Sequence, residues 1–572
     1  MRIRHRLILG FCLVVAAPAI ALAQWSADPS ENMPIADRTS EQVVPKIAGT
    51  SDGGSYVGWY DLSFGQYSIC LQRLDANGYE LWPHNGILVS AHPQLSYVTD
   101  WDLIADSEDN AVLVFSDARD GEDLDVYAYR IDGDGQPLGG VDGVALSANA
   151  DYEPSPVAEQ ASDGDLVFAW PRLPDAGGGA IQMQRLTPDG VPRFPMGGLS
   201  VVSVPNEDPA FPRLVAAEAG GVIMIWVRDI SAYMSPRHLR AQKFSTAGAG
   251  IWPAVVNVYD ASSVPMGYGP DLYADGADGA LVLWHSAPVD MFNSRVQHLS
   301  SAGVEIFAHN GLTVSTATTR HHIDPTLSFL PSTGEILVFW NERNPNQSQW
   351  GIYGQKLTSV GTRAWGTEGI AFVPVNTVYK YTQRSAPCAD GAIAFFITDI
   401  GGAGSSHVLG FRVDGAGKFV WPDSLIDIST YPSSKSRLPI KSDAAGVVTL
   451  VWEDGRQDFA DVYGQNVHPD GRLGVLADVA AEGDYALRLA PNTPNPFSDV
   501  TRLALGAGVR GAAVRILDAS GRQVRTLVAD GVGTILWDGT DDRGQRLPGG
   551  VYFYGMAGSG NRGQLQRAVL VR

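Results

Sequence analysis

The sequence predicts an all-β protein, an eight-bladed β-propeller that is closed by an amino-terminal strand and followed by a small β-sandwich. Three observations predict this fold class. A unit of about 56 residues recurs eight times. Each unit divides into short alternating segments, and the pattern changes after about residue 485. Because a repeat of this size cannot bury its own faces, neighbouring copies must pack against one another.

Each repeat is marked by an aromatic residue at the end of an apolar run. The eight aromatic residues are Trp59, Phe115, Trp170, Trp226, Trp284, Trp340, Phe396 and Trp452. Their regular spacing indicates packing between blades rather than the stacking of a ligand on any one ring.

The first copy, Val44–Ser90, shows how a unit divides into strands. Its predicted strands are Val44–Gly49, a second strand that ends at Trp59, Ser68–Leu74 and about Leu81–Ser90. The turn between the third and fourth strands ends in glycine in every copy, at Gly78, Gly135, Gly190, Gly248, Gly303, Gly361, Gly417 and Gly471. Glycine alone takes a positive φ without strain, so a tight hairpin is predicted at each position. Four antiparallel strands per unit are typical of a propeller blade.

The two ends of the array predict how the ring closes. The eighth copy stops after its third strand, and Gln24–Ala36 resembles a fourth-strand segment with Trp25 in the place of Trp82. A circular array leaves no exposed edge only if its ends join. The amino-terminal strand is therefore expected to complete the last blade, which gives a propeller over residues 24–475.

Residues 1–23 have the pattern of a secretory signal peptide. Three arginines precede the apolar run Leu7–Ile20, and Ala21-Leu22-Ala23 forms a small-residue site. A membrane anchor is the alternative, but the run is shorter than the roughly 20 apolar residues that a spanning helix needs. We expect cleavage before Gln24, no membrane span, and a protein that is secreted or held at the outer cell surface.

Charge and cysteine content exclude several classes of function. The chain carries a formal charge of −21, which becomes −24 without the signal peptide. So acidic a chain is expected to avoid nucleic acid. The two mature cysteines, Cys70 and Cys388, lie in different repeats and are predicted to be buried free thiols rather than a disulfide. We expect a monomer.

A second module follows a linker at residues 476–490. Residues 491–572 begin with a proline-rich boundary and continue as alternating strands, predicted at Thr501–Leu505, Ala513–Leu517, Gln523–Val528, Thr534–Trp537, Val551–Met556 and Leu565–Val571. About eighty residues of this kind predict a small β-sandwich.

Four motifs of this module match a known family. They are PNPF at Pro494–Phe497, VRILDASGRQVRTL at Val514–Leu527, WDGTDDRGQRLPGGVYFY at Trp537–Tyr554 and RAVLVR at Arg567–Arg572. The module resembles the immunoglobulin-like domain of the flagellar hook-capping type, which is akin to type IX secretion sorting domains. The resemblance implies recognition by secretion or surface-attachment machinery, and it implies no catalysis. The end of the chain differs from the lysine-containing ends common in type IX signals.

The loops between second and third strands, and the connections between blades, carry most of the unusual side chains, including His285 and Asp324. Variable loops on a rigid scaffold are where binding sites are usually built. The candidates for a binding face are Asp117, Arg119, Arg228, Arg320, His322, Glu342, Arg343, Glu453 and Arg456. They predict the binding of an extracellular protein or glycan, and no catalytic residue, cofactor or metal is assigned.

An enzyme is the alternative, as a propeller glycoside hydrolase or lyase that acts on polysaccharide. Ser51-Asp52-Gly53-Gly54 invites comparison with the Asp-box of sialidases, but Asp52 precedes Trp59 by seven residues rather than five. No serine–histidine–acid order, phosphate loop or CxxC motif is present. The sequence therefore favours a binding protein, with the enzyme as the alternative and a structural envelope protein as a third possibility.

Three further patterns have a structural interpretation. Asp132-Gly133-Asp134-Gly135 resembles the start of a calcium loop, yet it coincides with the recurring hairpin turn. His321-His322 is expected to lie in an exposed polar loop. The pairs Asp117/Arg119 and Glu453/Arg456 are expected to form salt bridges that fix loops.

Overall fold

The computed structural model describes residues 24–94, 99–119, 123–230, 235–265, 267–287, 291–402, 404–475, 492, 494–504, 513–519, 521–528, 534–556 and 566–572. The predicted signal peptide and linker lie outside these residues. The chain divides into two compact units, Met1–Leu476 and Ala477–Arg572. Within the described ranges the elements are β-strands and one three-residue 3₁₀ turn, Glu218–Gly220. The all-β prediction is therefore confirmed.

The first unit contains eight antiparallel sheets, which we number in chain order. Sheet 1 comprises Gln42–Gly49, Ser55–Asp61, Tyr67–Leu74 and Ile87–Gln94. Sheet 2 comprises Asp102–Ala105, Ala111–Asp117, Asp125–Ile131, Pro137–Leu138 and Val144–Ala145. Sheet 3 comprises Val157–Gln160, Leu166–Arg172, Ala180–Leu186 and Leu199–Ser203. Sheet 4 comprises Asp208–Ala216, Val222–Asp229, His238–Phe244 and Val256–Tyr259.

The remaining four sheets repeat this order of strands. Sheet 5 comprises Asp271–Ala274, Ala280–Ser286, Asn293–Leu299 and Leu312–Thr313. Sheet 6 comprises His321–Leu330, Glu335–Arg343, Trp350–Leu357 and Ile370–Asn376. Sheet 7 comprises Lys380–Cys388, Gly391–Asp399, Ser406–Asp414 and Ile426–Ser433. Sheet 8 comprises Lys435–Ser436, Ile440–Ser442, Val448–Asp454 and Asp461–Val467, and Met33–Ala36 pairs with the last of these.

The repeated aromatic and glycine positions have the predicted roles. All eight aromatic residues at the second strands are at most 3% exposed. All eight turn glycines have φ between 74° and 89°. The largest boundary difference in sheet 1 is at its fourth strand, which is Ile87–Gln94 rather than about Leu81–Ser90. The chain between Leu81 and Ile87 turns so that Trp82 packs on Gly135 of sheet 2, where a Cβ would come within 3.3 Å of the indole.

The hydrophobic core consists of clusters that each join two consecutive sheets. Among the described residues there are seven such clusters, one for each consecutive pair of sheets from sheets 1 and 2 to sheets 7 and 8. An eighth cluster contains Trp25 and Ile35 with Trp59 of sheet 1 and Val451 of sheet 8. The amino-terminal segment thus packs between the last sheet and the first.

Trp25 makes the same contact that fourth-strand aromatic residues make elsewhere. Its backbone N–H donates to the carbonyl of Asn77 at 3.1 Å. A Cβ on Gly78 would lie 2.7 Å from its indole, as one on Gly303 would lie 2.5 Å from Trp252. The turn glycine is therefore needed twice, for its positive φ and for the close approach of a ring.

The second unit contains two sheets. Thr501–Ala504 pairs with Thr534–Trp537. A four-stranded sheet has the order Gln523–Val528, Ala513–Leu517, Gly550–Met556 and Gln566–Leu570. Its core includes Trp537, Tyr554 and Phe497 of the PNPF motif. These strands lie where the sequence predicts them.

The cysteine prediction is met for the free thiols and, in part, for their burial. Cys70 and Cys388 are free thiols, the first buried and the second partly buried. In the part of the chain that the structure describes, no helix has the length and apolarity needed to cross a membrane.

Candidate functional site

Most of the predicted binding-face residues lie in a repeated structural cluster. In sheets 1, 2, 6 and 8, a carboxylate two residues after the strand-ending aromatic binds an arginine. The pairs are Asp61 with Arg38, Asp117 with Arg119, Glu342 with Arg320, and Asp454 with Arg456. We call these the acid–arginine clusters. The four carboxylates are at most 2% exposed, so they are part of the core of their sheets.

The cluster in sheet 8 shows how fully its charges are satisfied. Asp454 accepts hydrogen bonds from the indole of Trp452 at 2.8 Å and from Arg456 at 2.7 Å. The guanidinium of Arg456 also lies over the ring of Tyr463, 3.8 Å from its centroid. Burial raises the pKa of Asp454, but Arg456 and Lys435 outweigh it and leave the pKa below its ordinary value. This arrangement stabilises the fold and leaves little for a ligand to bind.

The other candidates are also placed by the structure. Arg228 pairs with Glu207 at 2.6 Å, and Arg343 donates to Asn341 at 2.6 Å. Glu453 pairs with Arg437 at 3.0 Å. These contacts pair the candidates with partners in or beside the same sheet.

Two sequence interpretations are settled by these contacts. The Asp117–Arg119 salt bridge is confirmed at 2.6 Å. The Glu453–Arg456 bridge is wrong, because Arg456 turns to the more deeply buried Asp454 and leaves Glu453 to Arg437.

The exposed loop expected at His321-His322 is also wrong. Both residues lie on the first strand of sheet 6 and are at most 5% exposed. His322 packs edge-on against Trp340, with Nε2 3.4 Å from Glu342 Oε2. Asp132 instead behaves as the hairpin interpretation predicts, since it accepts the backbone N–H groups of Asp134 and Gln136.

A cavity that sequence reasoning missed lies where the first strands of the sheets begin. Its volume is about 390 Å³. Its lining comes from seven of the eight sheets or from the segments that enter them: Val44, Pro45, Lys46, Asp100, Trp101, Asp102, Ser155, Pro156, Val157, Arg213, Asp271, Arg384, Arg437, Leu438 and Pro439. We call it the first-strand cavity.

Backbone bulges aim side chains into this cavity. The pairing register shifts between Val43 and Lys46, between Ala210 and Arg213, and between Tyr381 and Arg384. Residues with positive φ occur at or near these starts in six sheets: Val44, Ser155, Phe211, Asp324, Thr382 and Arg437, with φ between 47° and 54°. Proline follows four of them, and proline suits a bulge because it has no N–H to leave unpaired. Strain of this kind persists where the surrounding fold holds it, and it clusters at binding sites.

The cavity has charged groups of both signs, although the chain as a whole is strongly acidic. Lys46 pairs with Asp100 at 2.7 Å, and this charge holds the pKa of Asp100 below its ordinary value despite burial. Desolvation by the surrounding protein raises the pKa of Asp102 and of Asp271, opposed in both cases by Arg213. The walls can therefore both donate and accept hydrogen bonds.

A smaller pocket of about 200 Å³ adjoins the cavity, and Asp271 and Arg384 line both. Gly267, Tyr268, Gly269, Leu283, Trp284, His285, Asp324 and Pro325 complete its wall. We call it the His285 pocket. Tyr268 is 44% exposed, and its ring centroid lies 4.7 Å from that of His285.

His285 lines this pocket as a buried ring. It is 4% exposed, and burial, followed by the charge of Arg343, lowers its pKa to about 4. The ring is therefore neutral at physiological pH. Its Nδ1 accepts the backbone N–H of Asp324 at 3.4 Å, which places the ring proton on Nε2. Among the described residues that Nε2 atom has no hydrogen-bond partner.

No metal centre is evident in the described residues, where no group of three or more histidine, cysteine or acidic side chains could hold an ion.

Comparisons with known proteins give only distant likeness. No family model matches the chain, and no curated protein matches it. Among solved structures, a protein of unknown function from Dyadobacter fermentans has TM-score 0.33 at 11% identity, covering 56% of this chain and 96% of that one. An ulvan lyase of polysaccharide lyase family PL25 has TM-score 0.41 at 8% identity, covering 78% and 97%. A thermostable family-43 glycoside hydrolase has TM-score 0.27 at 9% identity, covering 48% and 94%. At these values none of them assigns a function to this chain.

Proposed function

We propose that the unit Met1–Leu476 is an eight-bladed propeller outside the cell that binds a glycan in the first-strand cavity. The eight sheets are its blades, and Met33–Ala36 is the strand that closes the ring. The clusters that join each sheet to the next support the ring, as does Trp25, which repeats on Gly78 the contact that Trp252 makes on Gly303. First strands lie innermost in such a ring, so the cavity occupies its centre.

The chemistry of the His285 pocket is the observation that supports a glycan as the ligand. A sugar ring offers hydroxyl groups that both donate and accept, and an apolar face between them. The pocket has the carboxylates of Asp271 and Asp324 as acceptors and the guanidinium of Arg384 as a donor, and the neutral ring of His285 lines it. Tyr268 supplies an aromatic surface at its side. Concave sites with a few convergent polar groups are the usual form of a small-ligand site.

Binding of the purified mature protein to a panel of soluble polysaccharides, followed by isothermal titration, tests this proposal. Tyr268→Ala should weaken binding at least tenfold, since it removes the exposed ring and leaves the buried groups in place. Tyr152→Ala is the matched control, because Tyr152 is 47% exposed and lies outside both cavities. Absence of binding to every polysaccharide, or equal loss in both variants, would contradict the proposal.

A second candidate function, cleavage of the glycan, is favoured by the two carboxyl groups of the same pocket. Desolvation raises the pKa of Asp324, and the neighbouring charge of Asp271 raises it further. Two carboxyl groups in unequal surroundings are the acid and base of most glycoside hydrolases. If cleavage occurs, Asp271→Asn or Asp324→Asn should abolish the release of sugars while binding persists.

We further propose that residues 491–572 deliver the protein through secretion or surface-attachment machinery. The motifs of the sorting-domain family support this role, and the separation of the chain into two compact units supports independent folding. A chain ending at Gly474 should remain folded, yet it should be lost from the surface and from the medium. Normal surface amounts of this truncated chain would contradict the role.

Ring closure has a test of its own. Deleting Gln24–Asp37 should lower the melting temperature of the propeller far more than ending the chain at Gly474 does. The first change opens two strand edges, and the second removes a separate unit. Equal melting temperatures would argue against closure by Met33–Ala36.

A further inference from the structure

Two of the three arginines that line the first-strand cavity, Arg213 and Arg384, lack the partners that other cavity charges have. Lys46 is bridged to Asp100, and Arg437 is bridged to Glu453. Arg213 donates from Nη1 to its neighbouring carbonyl, Pro212 O, at 3.0 Å. Arg384 donates likewise to Gln383 O at 2.7 Å. Within the described residues, neither guanidinium has a carboxylate at salt-bridge distance.

Both arginines belong to the same recess. They reach it from sheets 4 and 7, where bulges precede them at Ala210/Arg213 and Tyr381/Arg384. Arg384 lines the first-strand cavity and the His285 pocket together. Arg213 lies against the Gly267–Asp271 segment that walls the pocket, since a Cβ on Gly269 would meet its Nη2 at 3.5 Å. The two guanidinium groups therefore stand beside the proposed sugar site.

A partly buried guanidinium with no carboxylate in direct contact is costly unless something binds it. Arginine presents a planar fork that matches carboxylate and sulfate oxygens in pairs. We infer that Arg213 and Arg384 form a subsite for an anionic substituent, a carboxylate or a sulfate ester, on a sugar next to the one in the His285 pocket. This inference rests on the proposed function and narrows its ligand to acidic polysaccharides.

The carboxylates around the subsite set which anions it accepts. Asp102 is held by the backbone N–H groups of Leu103 and Ala158, so it does not turn toward either arginine. Asp271 lies near both arginines, and protein around it disfavours its charged form. A polyanion without hydroxyl groups gains the two arginines but meets these carboxylates. An acidic sugar satisfies both kinds of group, which is why the subsite selects acidic glycans over simple anions.

The test uses the mature full-length chain and matched pairs of polymers. One pair is polygalacturonate and its carboxyl-reduced form, and the other is a sulfated galactan and its desulfated form. We expect at least one acidic member to bind about 10- to 100-fold more tightly than its neutral partner, as hydrogen bonds to charged groups allow. The pair that shows the preference tells a carboxylate from a sulfate ester. The preference should shrink as salt is added.

Four variants assign the preference to these residues. Arg213→Gln should remove most of the acidic preference and keep the binding of the neutral polymer. Arg384→Gln should remove the preference and also weaken the neutral polymer, because Arg384 lines the His285 pocket as well. Arg213→Lys and Arg384→Lys keep the positive charge but lose the planar guanidinium. They should therefore keep part of the acidic preference. Arg172→Gln is the control, because Arg172 pairs with Asp151 and lies outside the cavity. Thermal melts check that each variant is folded.

Failure of the inference is distinguishable from failure of the proposed function. If acidic and neutral polymers bind equally, and both lose binding in Tyr268→Ala, the proposed glycan site stands and the anionic subsite is refuted. An acidic preference that survives both glutamine variants would also refute it. No binding to any polymer would refute both.

Discussion

Two sets of arginines in this protein have opposite surroundings. In the acid–arginine clusters, Arg119 and Arg456 each bind a buried carboxylate and lie over a tyrosine ring. In the first-strand cavity, Arg213 and Arg384 face open volume and donate only to neighbouring carbonyls. Residue type is the same in both sets. The difference shows that the partners of an arginine side chain distinguish a structural arginine from a candidate binding arginine. Residue type and position in a loop do not.

The comparison predicts that substitutions cost most stability at buried, fully paired charges and least at cavity charges. Removing a carboxylate from a cluster leaves buried cations without their partner, whereas changing a cavity residue breaks no such ion pair. Three substitutions sample this gradient.

The largest effect is expected for Asp454→Asn. The side chain keeps its size but loses its charge, which leaves Lys435 and Arg456 without their shared carboxylate in a site where Lys435 is fully buried. Breaking a buried ion pair in this way costs about 3–5 kcal/mol. Urea unfolding of the propeller measures the loss.

The matched control is Asp271→Asn, the same chemical change in the first-strand cavity. It should shift the free energy of unfolding by no more than about 0.5 kcal/mol. If the two variants unfold at the same urea concentration, the distinction between cluster and cavity fails.

The two regions also differ in how far sequence could predict them. Strand positions, the glycine turns and the aromatic residues follow from local periodicity, and the contacts of Trp25 follow from its likeness to Trp82. The clusters are partly readable, because their acids sit two residues after Trp59, Trp340 and Trp452. The burial of these acids could not be predicted, because a charged residue after a strand is equally typical of an exposed loop.

The cavity could not be read from local pattern, because its charges come from segments that are far apart in the chain. Lys46 and Arg384 are more than 300 residues apart in the chain, and they line one cavity only because the successive sheets pack against one another. One local signal was available. A proline followed by a charged residue recurs near the start of first strands, at Pro45-Lys46, Pro212-Arg213 and Pro270-Asp271. Proline within a strand indicates a bulge, and bulges redirect side chains.

An intermediate effect on stability is expected for His84. This half-exposed residue precedes the fourth strand of sheet 1 and pairs with Asp37 of the amino-terminal segment. Its Nε2 lies 2.9 Å from Asp37, and its Nδ1 lies 2.9 Å from Glu80. Hydrogen bonds to these two carboxylates raise its pKa from 6.5 to about 10. Because the folded pKa is above the unfolded one, the stabilisation is complete below pH 6.5 and is lost as the pH rises toward 10.

Melting temperatures of the wild type and His84→Gln, compared between pH 6 and pH 10, measure this contribution. The gap between the two proteins should be widest near pH 6 and should close by about pH 10. Asp37→Asn should narrow the same gap, whereas Asp142→Asn, a change at an exposed carboxylate, should not. A constant gap across the range would mean that His84 acts through packing alone.

The smallest effect on stability is expected for Arg384→Gln, and it bears most directly on the comparison. Its guanidinium has one backbone partner and no carboxylate to abandon, so its loss should change the free energy of unfolding by less than about 0.5 kcal/mol. Arg456→Gln removes the same charge from a cluster and should cost several times more, because Asp454 and the ring of Tyr463 lose their partner. Urea midpoints at equal slope measure both changes. A large loss in Arg384→Gln would make that arginine a structural residue, and the cavity would then lose one of the two groups that select its ligand.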